Sequence, residues 1–434
     1  MQTDRRSAWA PSACACLLVF CLQGVAQAQP AGLHWDAARL HVPGAVSAGG
    51  SNINNRGQIA GGATFGDGTV RPVIWHNGQA QLLPTPFVGT SASVGSINER
   101  GDVAGVYWTS GVASAEPQAY RMIDGQITAV GPVGHRYTDP MRINDRGDVA
   151  GLTNNPVQPP EAPQYLAIGF FHASGASSSQ PVQYGNRGIV INDMNEQGTV
   201  VGYYYDWPIT GFVYRNGTFT PLGNRGSESR VTAINDAGQI VGHSYLPARP
   251  DGSFDERGWV YTDSTGMVDL GDMGGGHATP LDINNAGQIV GSSTLAGGGG
   301  RHAFFYDDGV MRDLGTLGGD FSEAFAINER GHVLGRSLTA DGDWHLFFYA
   351  DGRMTDLSSW LELAHADIAQ VWWWDSARMN DLGQILVRAT LEGSGAIVTT
   401  LITPVPEPQA AALMLAGLLA FATLRRRRPP VVAG

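Results

Sequence analysis

The chain has 434 residues, of which 59 are Gly and only 15 % are charged, and it carries a net charge of −12. All 27 basic residues are Arg, which excludes lysine chemistry such as Schiff-base formation. Between residues 29 and 405 there are 21 Arg against 37 acids, a balance that argues against nucleic-acid binding, which rests on cationic neutralisation of phosphate.

The first element has the layout of a secretory signal. Arg5 and Arg6 precede an apolar stretch from Ala13 to Leu22, and Ala26-Gln27-Ala28 forms a small-residue cleavage site. About ten apolar residues are too few to cross a bilayer core as a helix. Cys14, Cys16 and Cys21 all fall in this segment, so a chain processed after Ala28 has no thiol, disulfide or thiolate metal site. Phe20 is a poor fit for the small residue that lipid attachment at Cys21 prefers.

From residue 29 to 403 the chain is built from one repeated phrase, Ile/Met-Asn-x-x-Gly-x-Ile/Val. Its Asn stands at 54, 98, 144, 195, 235, 284, 328 and 380. A recurrence of about 46 residues marks a repeat array. Asn can bond its own backbone two residues on, and the Gly supplies a left-handed conformation, so each phrase predicts a β-hairpin between strands A and B. A second phrase follows, as in His302–Gly319, with Asp-Gly or Asn-Gly between apolar runs, and predicts a hairpin between strands C and D. High Gly content and four short strands per repeat make the fold class all-β. The expected architecture is a β-propeller-like ring of about eight four-stranded blades, flanked by an N-terminal signal helix and a C-terminal apolar helix. Residues 33–43 are expected to lend the last blade its fourth strand and so remove an exposed edge. A seven-bladed ring or an open solenoid are the alternatives. The phrases HAFFYDDGVMRDLGTLGG at 302–319 and AFAINERGHVLGRS at 324–337 resemble the HAF repeat of bacterial extracellular proteins. That resemblance implies fold and location, not a reaction.

No zinc phrase, nucleophile elbow or phosphate loop occurs; no catalytic residue, metal site or cofactor is assigned. The acids after the Asn, such as Asp145, Asp236 and Asp381, do not point to shared calcium binding, because Asn55, Glu99 and Asn285 occupy the same position. His302 and His345 read as strand-end hydrogen-bonding groups, and Trp372–Trp374 as packing between blades. Length variation concentrates in the B–C and D–A connections, which share the face opposite the Asn turns. The candidate ligand face is Tyr107, Trp108, Tyr204, Asp206, Trp207, Tyr245 and Asp255. Aromatic faces with carboxylate acceptors suit a polysaccharide; the alternative is a hydrolase or lyase using Asp206 or Asp255.

The tail, 404–434, runs Val405-Pro406-Glu407-Pro408, an apolar helix-forming stretch from Ala410 to Leu424, then Arg425, Arg426, Arg427 and Arg428. Fifteen helical residues span roughly 22 Å, short of a bilayer core of about 30 Å, but the arginines can snorkel and hold the tail as an anchor. The order of parts resembles the PEP-CTERM sorting signal of Gram-negative bacteria. With the N-terminal signal, this implies Sec-type export, handling by an exosortase, a transient membrane anchor and delivery to the cell envelope or extracellular matrix. The expected function is a surface or matrix repeat protein that binds polysaccharide or an envelope protein.

Overall fold

The computed structural model describes residues 34–110, 116–132, 138–154, 167–223, 226–247, 254–372 and 377–405. The chain divides into two compact bodies, residues 1–36 with 404–434 and residues 37–403. The signal segment with Ala26 and Ala28, and the tail from Pro406 through Arg425–Arg428, lie outside the described residues. Val405 ends the strand Ile397–Val405. Among the described residues no helix is long and apolar enough to cross a membrane.

The regular structure of the described chain is almost wholly β-strand, folded as a succession of mostly four-stranded antiparallel sheets, one per repeat. In repeat 4, for example, Ile189–Met194, Val200–Tyr204, Thr210–Arg215 and Thr218–Gly223 pair in sequence order as strands A to D. Repeats 5, 6 and 7 have the same order, and neighbouring sheets there are joined by single parallel bridges, Glu256 with His277 and Arg301 with Phe321. In the last sheet the strand His34–Arg39 stands beside Ile397–Val405, and the Leu40 N–H donates to the Thr399 carbonyl at 2.9 Å. The apolar phase of strands A to C drives this arrangement. Ile189, Ile191, Val200 and Phe212 are buried to within 1 %, and such residues form clusters that bridge successive sheets, as between repeats 3 and 4, 4 and 5, and 5 and 6.

The Asn phrase folds as the sequence predicts. Asn54 Oδ1 accepts from the N–H groups of Arg56 and Gln58 at 3.1 and 2.9 Å, and Gly57 has φ of 72°. The glycine that ends the phrase has a different reason. A Cβ on Gly202 would lie 1.9 Å from the Val190 carbonyl oxygen, where strand A bulges between Ile191 and Asp193. In the eighth copy Val387 replaces this glycine, and both described parts of strand A, Ile368–Trp372 and Arg378–Met379, pair with Ile385–Leu391.

One helix was not foreseen. α1, Leu357–Ala364, occupies the D–A connection between repeats 7 and 8, capped by Asp356, whose carboxylate accepts from the Ser359 N–H at 2.9 Å. Leu357 and Leu361 are its buried face.

Candidate functional site

The eight Asn turns are linked to one another by two hydrogen-bond relays. In the first, each Asn Nδ2 donates to the backbone carbonyl of the Asn in the next repeat, at 2.8–3.3 Å, and Asn380 donates back to Asn54. In the second, the backbone N–H of the following residue donates to the side chain at the same position one repeat on, at 2.7–3.1 Å. It runs from Asn55 through Glu99, Asp145, Glu196, Asp236, Asn285, Glu329 and Asp381 and returns to Asn55. The sequence signal for this was present. All eight positions carry a side-chain oxygen acceptor, Asp, Glu or Asn, which is what a backbone N–H requires. Crowding of carboxylates has a cost: burial, with Asp145 and Asp236 nearby, pushes the Glu196 carboxyl up to about 7.

Two residues before the Asn, strand A lines a cavity of about 370 Å³ with Asn52, Arg142, Asp193, Asp282 and Arg378. Asp193 pairs with Arg142 at 3.3 Å and accepts from the N–H groups of Met194 and Ile234 at 2.9 and 3.1 Å. Asp282 accepts from Ile283 and Ile327 at 2.9 and 2.8 Å, and burial, reinforced by the Asp193 charge, raises its carboxyl to about 7. These bonds tie each carboxylate to its own and a later repeat. Sequence reading passed over the position because its residue types share no chemistry.

The opposite side holds the B–C and D–A connections, and the candidate residues there separate into two sets. Tyr107 and Trp108 lie within the strand Val103–Thr109, Tyr204 ends Val200–Tyr204, and Tyr245 ends Ile240–Tyr245, not in loops as expected. Pairing with strand A continues that far, as in Ser91 with Trp108 and Ile189 with Tyr204. Tyr204 is 5 % exposed, packed with Phe212 and Phe219; as placed, it cannot offer its ring to a ligand. Tyr107 is half-buried against Phe87, ring centroids 4.9 Å apart, and Tyr245 lies edge-on to His243. Trp207, in contrast, is 90 % exposed. Asp206 is paired with Arg187 at 2.8 Å and accepts from the Trp207 N–H, and the Arg187 hydrogen bond holds its carboxyl below the usual range. That suits an acceptor rather than a proton donor. Asp255 is half-buried just before the strand Glu256–Thr262.

His302 and His345 do sit at strand starts, with Nδ1 within 3.0 Å of Asp313 and 2.8 Å of Asp356 respectively. Inward from the loops runs a polar band. The buried Glu256 accepts from Thr279 and lies 3.6 Å from Arg301, whose Nε donates to Ser292. Arg336 pairs with Glu323 at 2.7 Å. His243, 3.7 Å from Glu256, is kept neutral by burial, which lowers its pKa to about 4. Among the described residues no group of His, Cys, Asp or Glu could hold a metal ion.

Six aromatic side chains are exposed among the described residues: Phe87, Tyr184, Tyr205, Trp207, Phe254 and Trp344. All six stand on or beside B–C and D–A connections, and none beside the Asn turns.

No family model matches the chain, and no curated protein does. Among solved structures it is similar to the acylaminoacyl peptidase of Pyrococcus horikoshii, at 12 % identity and a TM-score of 0.44 over 81 % of this chain. The match spans 59 % of that peptidase. A puromycin-hydrolyzing peptidase of Mycobacterium tuberculosis gives 12 % identity and 0.43, over 81 % of this chain and 61 % of that one. An ulvan lyase of polysaccharide lyase family PL25 gives 10 % identity and 0.36, over 83 % and 95 %.

Proposed function

We propose that this is an exported cell-surface or extracellular-matrix protein whose eight repeats close into an eight-bladed propeller, serving as a binding or structural module for polysaccharide. Closure is supported by the two relays, each of which returns to its starting repeat, and by the N-terminal strand beside Ile397–Val405. Export and sorting rest on Ala26, Ala28 and the Val405–Pro408 motif with its Arg cluster, with an exosortase as processing partner. The observation that carries the binding role is the one-sided placement of the six aromatics exposed among the described residues. Rings presented on variable connections of a stiff scaffold stack on sugar faces, while neighbouring carboxylates accept from hydroxyls.

The test incubates the full chain with a panel of insoluble polysaccharides, scoring retention on the polymer and release of new reducing or unsaturated ends. Retention without release is the expected result. Release abolished by Asp206→Asn or Asp255→Asn would establish the hydrolase or lyase instead. Neither retention nor release on any polymer would remove glycans as the partner class.

A further inference from the structure

Between repeats 7 and 8, on the side of the B–C and D–A connections, lies a cleft of about 710 Å³, within the usual size range of small-ligand sites, about 300–1,000 Å³. One wall is the start of the strand Trp344–Ala350; the other is Ile368–Trp372, with α1 alongside. Both strands bring an indole. Trp344 is 37 % exposed, held edge-on to Phe321 at 5.1 Å, and the Arg336 guanidinium lies 4.9 Å from its ring centroid. Trp372 is fixed by its Nε1–H, which donates to Thr390 Oγ1 at 2.6 Å. Two polar side chains in the cleft are uncommitted. Glu362 of α1 and Gln370 make no hydrogen bond or ion pair with any described residue, although both line the space. Burial in the cleft raises the Glu362 carboxyl above its usual range, and Asp356 and Asp343 act in the same direction.

We propose that this cleft binds an internal stretch of a neutral polysaccharide, with the Trp344 and Trp372 indoles stacking on pyranose faces and Glu362 and Gln370 hydrogen-bonding sugar hydroxyls. The inference rests on the glycan-binding reading above and locates it. The ring of a sugar offers C–H groups to an aromatic face, while its edge needs acceptors and donors, and the cleft supplies both kinds of contact. Charge selects the class. Among the described residues that line the cleft the one guanidinium, Arg336, is engaged by Glu323 at 2.7 Å. His345 is tied to Asp356, and the remaining charges, Asp343 and Glu362, are carboxylates. A uronate or sulfated chain would meet like charge without a free cation to offset it.

The test titrates the full chain by calorimetry with cellohexaose, mannohexaose, xylohexaose and hexagalacturonate. At least one neutral hexamer binds, and hexagalacturonate does not. Trp344→Ala or Trp372→Ala each weakens binding about tenfold, the equivalent of one lost stacking contact. Gln370→Ala, on an exposed side chain that leaves folding untouched, weakens it by roughly threefold to tenfold. Thr220→Ala, exposed on the strand Thr218–Gly223 of repeat 4, changes nothing, and Trp207→Ala weakens binding less than either cleft indole variant. Unchanged melting of each variant separates lost binding from lost fold. Binding lost with Trp207→Ala but kept in the cleft variants overturns this site and leaves the glycan reading standing. Preference for hexagalacturonate overturns the neutral class, and no binding of any hexamer overturns the cleft site, whereas the glycan reading itself falls only if the polymers also fail to retain the chain.

Discussion

The Asn turns and the connections on the opposite side are made from the same repeats, yet they obey different rules. At the turns, every repeat contributes the same two interactions to its neighbour, through Asn at one position and an oxygen acceptor at the next. On the other side, among the described residues, no contact recurs in all eight repeats; Trp207, Asp206 with Arg187, and α1 with Glu362 each occur once there. Hydrogen bonds that must be made in every repeat constrain the residue type, and surface connections that satisfy themselves in water do not. The uniform side builds the scaffold, and the varied side is free to carry recognition.

The sharpest way to break the uniform side is Gly202→Ala. Its Cβ would lie 1.9 Å from the Val190 carbonyl, so strand A must move, at an expected cost of about 3 kcal/mol or more, near the upper end for overpacking. Chemical denaturation measures it, and a loss below 1 kcal/mol, within the ordinary range for tolerated swaps, would mean the bulge is soft. Asn235→Asp separates the turn from the relay. The oxygen that accepts from the Gln239 N–H at 2.9 Å is kept, while the Nδ2 donor to the Asn284 carbonyl at 3.0 Å is lost. The expected loss is about 2 kcal/mol, because the Asn284 carbonyl, left with only the Gly287 N–H at 3.0 Å, and the Gln239 Oε1 both lose a donor and now face a carboxylate. Wild-type stability in this variant would show that local turn chemistry alone explains the Asn.

Acidity provides a milder probe of the same side. Glu196 and Asp282 both have folded-state pKa values raised to about 7. A raised pKa means that the folded state holds its proton more tightly than the unfolded chain does. Their favourable contribution is therefore complete below about pH 4, near the unfolded values, and is lost as pH rises through about 7. Between pH 8 and pH 5 these two groups favour the folded state, while His172 and His243, whose pKa burial lowers to about 4, oppose it. The Glu196→Gln, Asp282→Asn double variant should therefore lose more melting temperature than the wild type on going from pH 8 to pH 5. An unchanged slope in the double variant would place the pH dependence elsewhere.

Much of the scaffold was legible before the structure. Asn and Gly at fixed spacing specify the A–B turn by local chemistry, and Asp-Gly specifies the C–D turn, where Asp308 and Asp351 adopt φ of 47° and 52°. Three features were not. The Nδ2 relay was hidden because the Asn oxygen already had a complete local explanation. The second relay was hidden because Glu99, Asp145 and Asn285 look interchangeable only when the partner is known to be a backbone N–H. The cleft was hidden because Glu362, Gln370 and Trp344 are brought together across two repeats, and no local pattern marks a contact between strands so placed. Tyr204, conspicuous in a run of three tyrosines, turned inward instead, since alternate residues of a strand face opposite ways.

Amide hydrogen exchange across the eight Asn turns tests the closed ring most directly. In an open repeat array the first and last members lack a neighbour and fray. Closure predicts that the backbone amides of Asn55 and Asp381, bonded to Glu99 and Asn55 respectively, exchange as slowly as those of Asp145 and Glu196 within the array. Fast exchange confined to the turns at 54–58 and 380–384, with the other six protected, would contradict the ring.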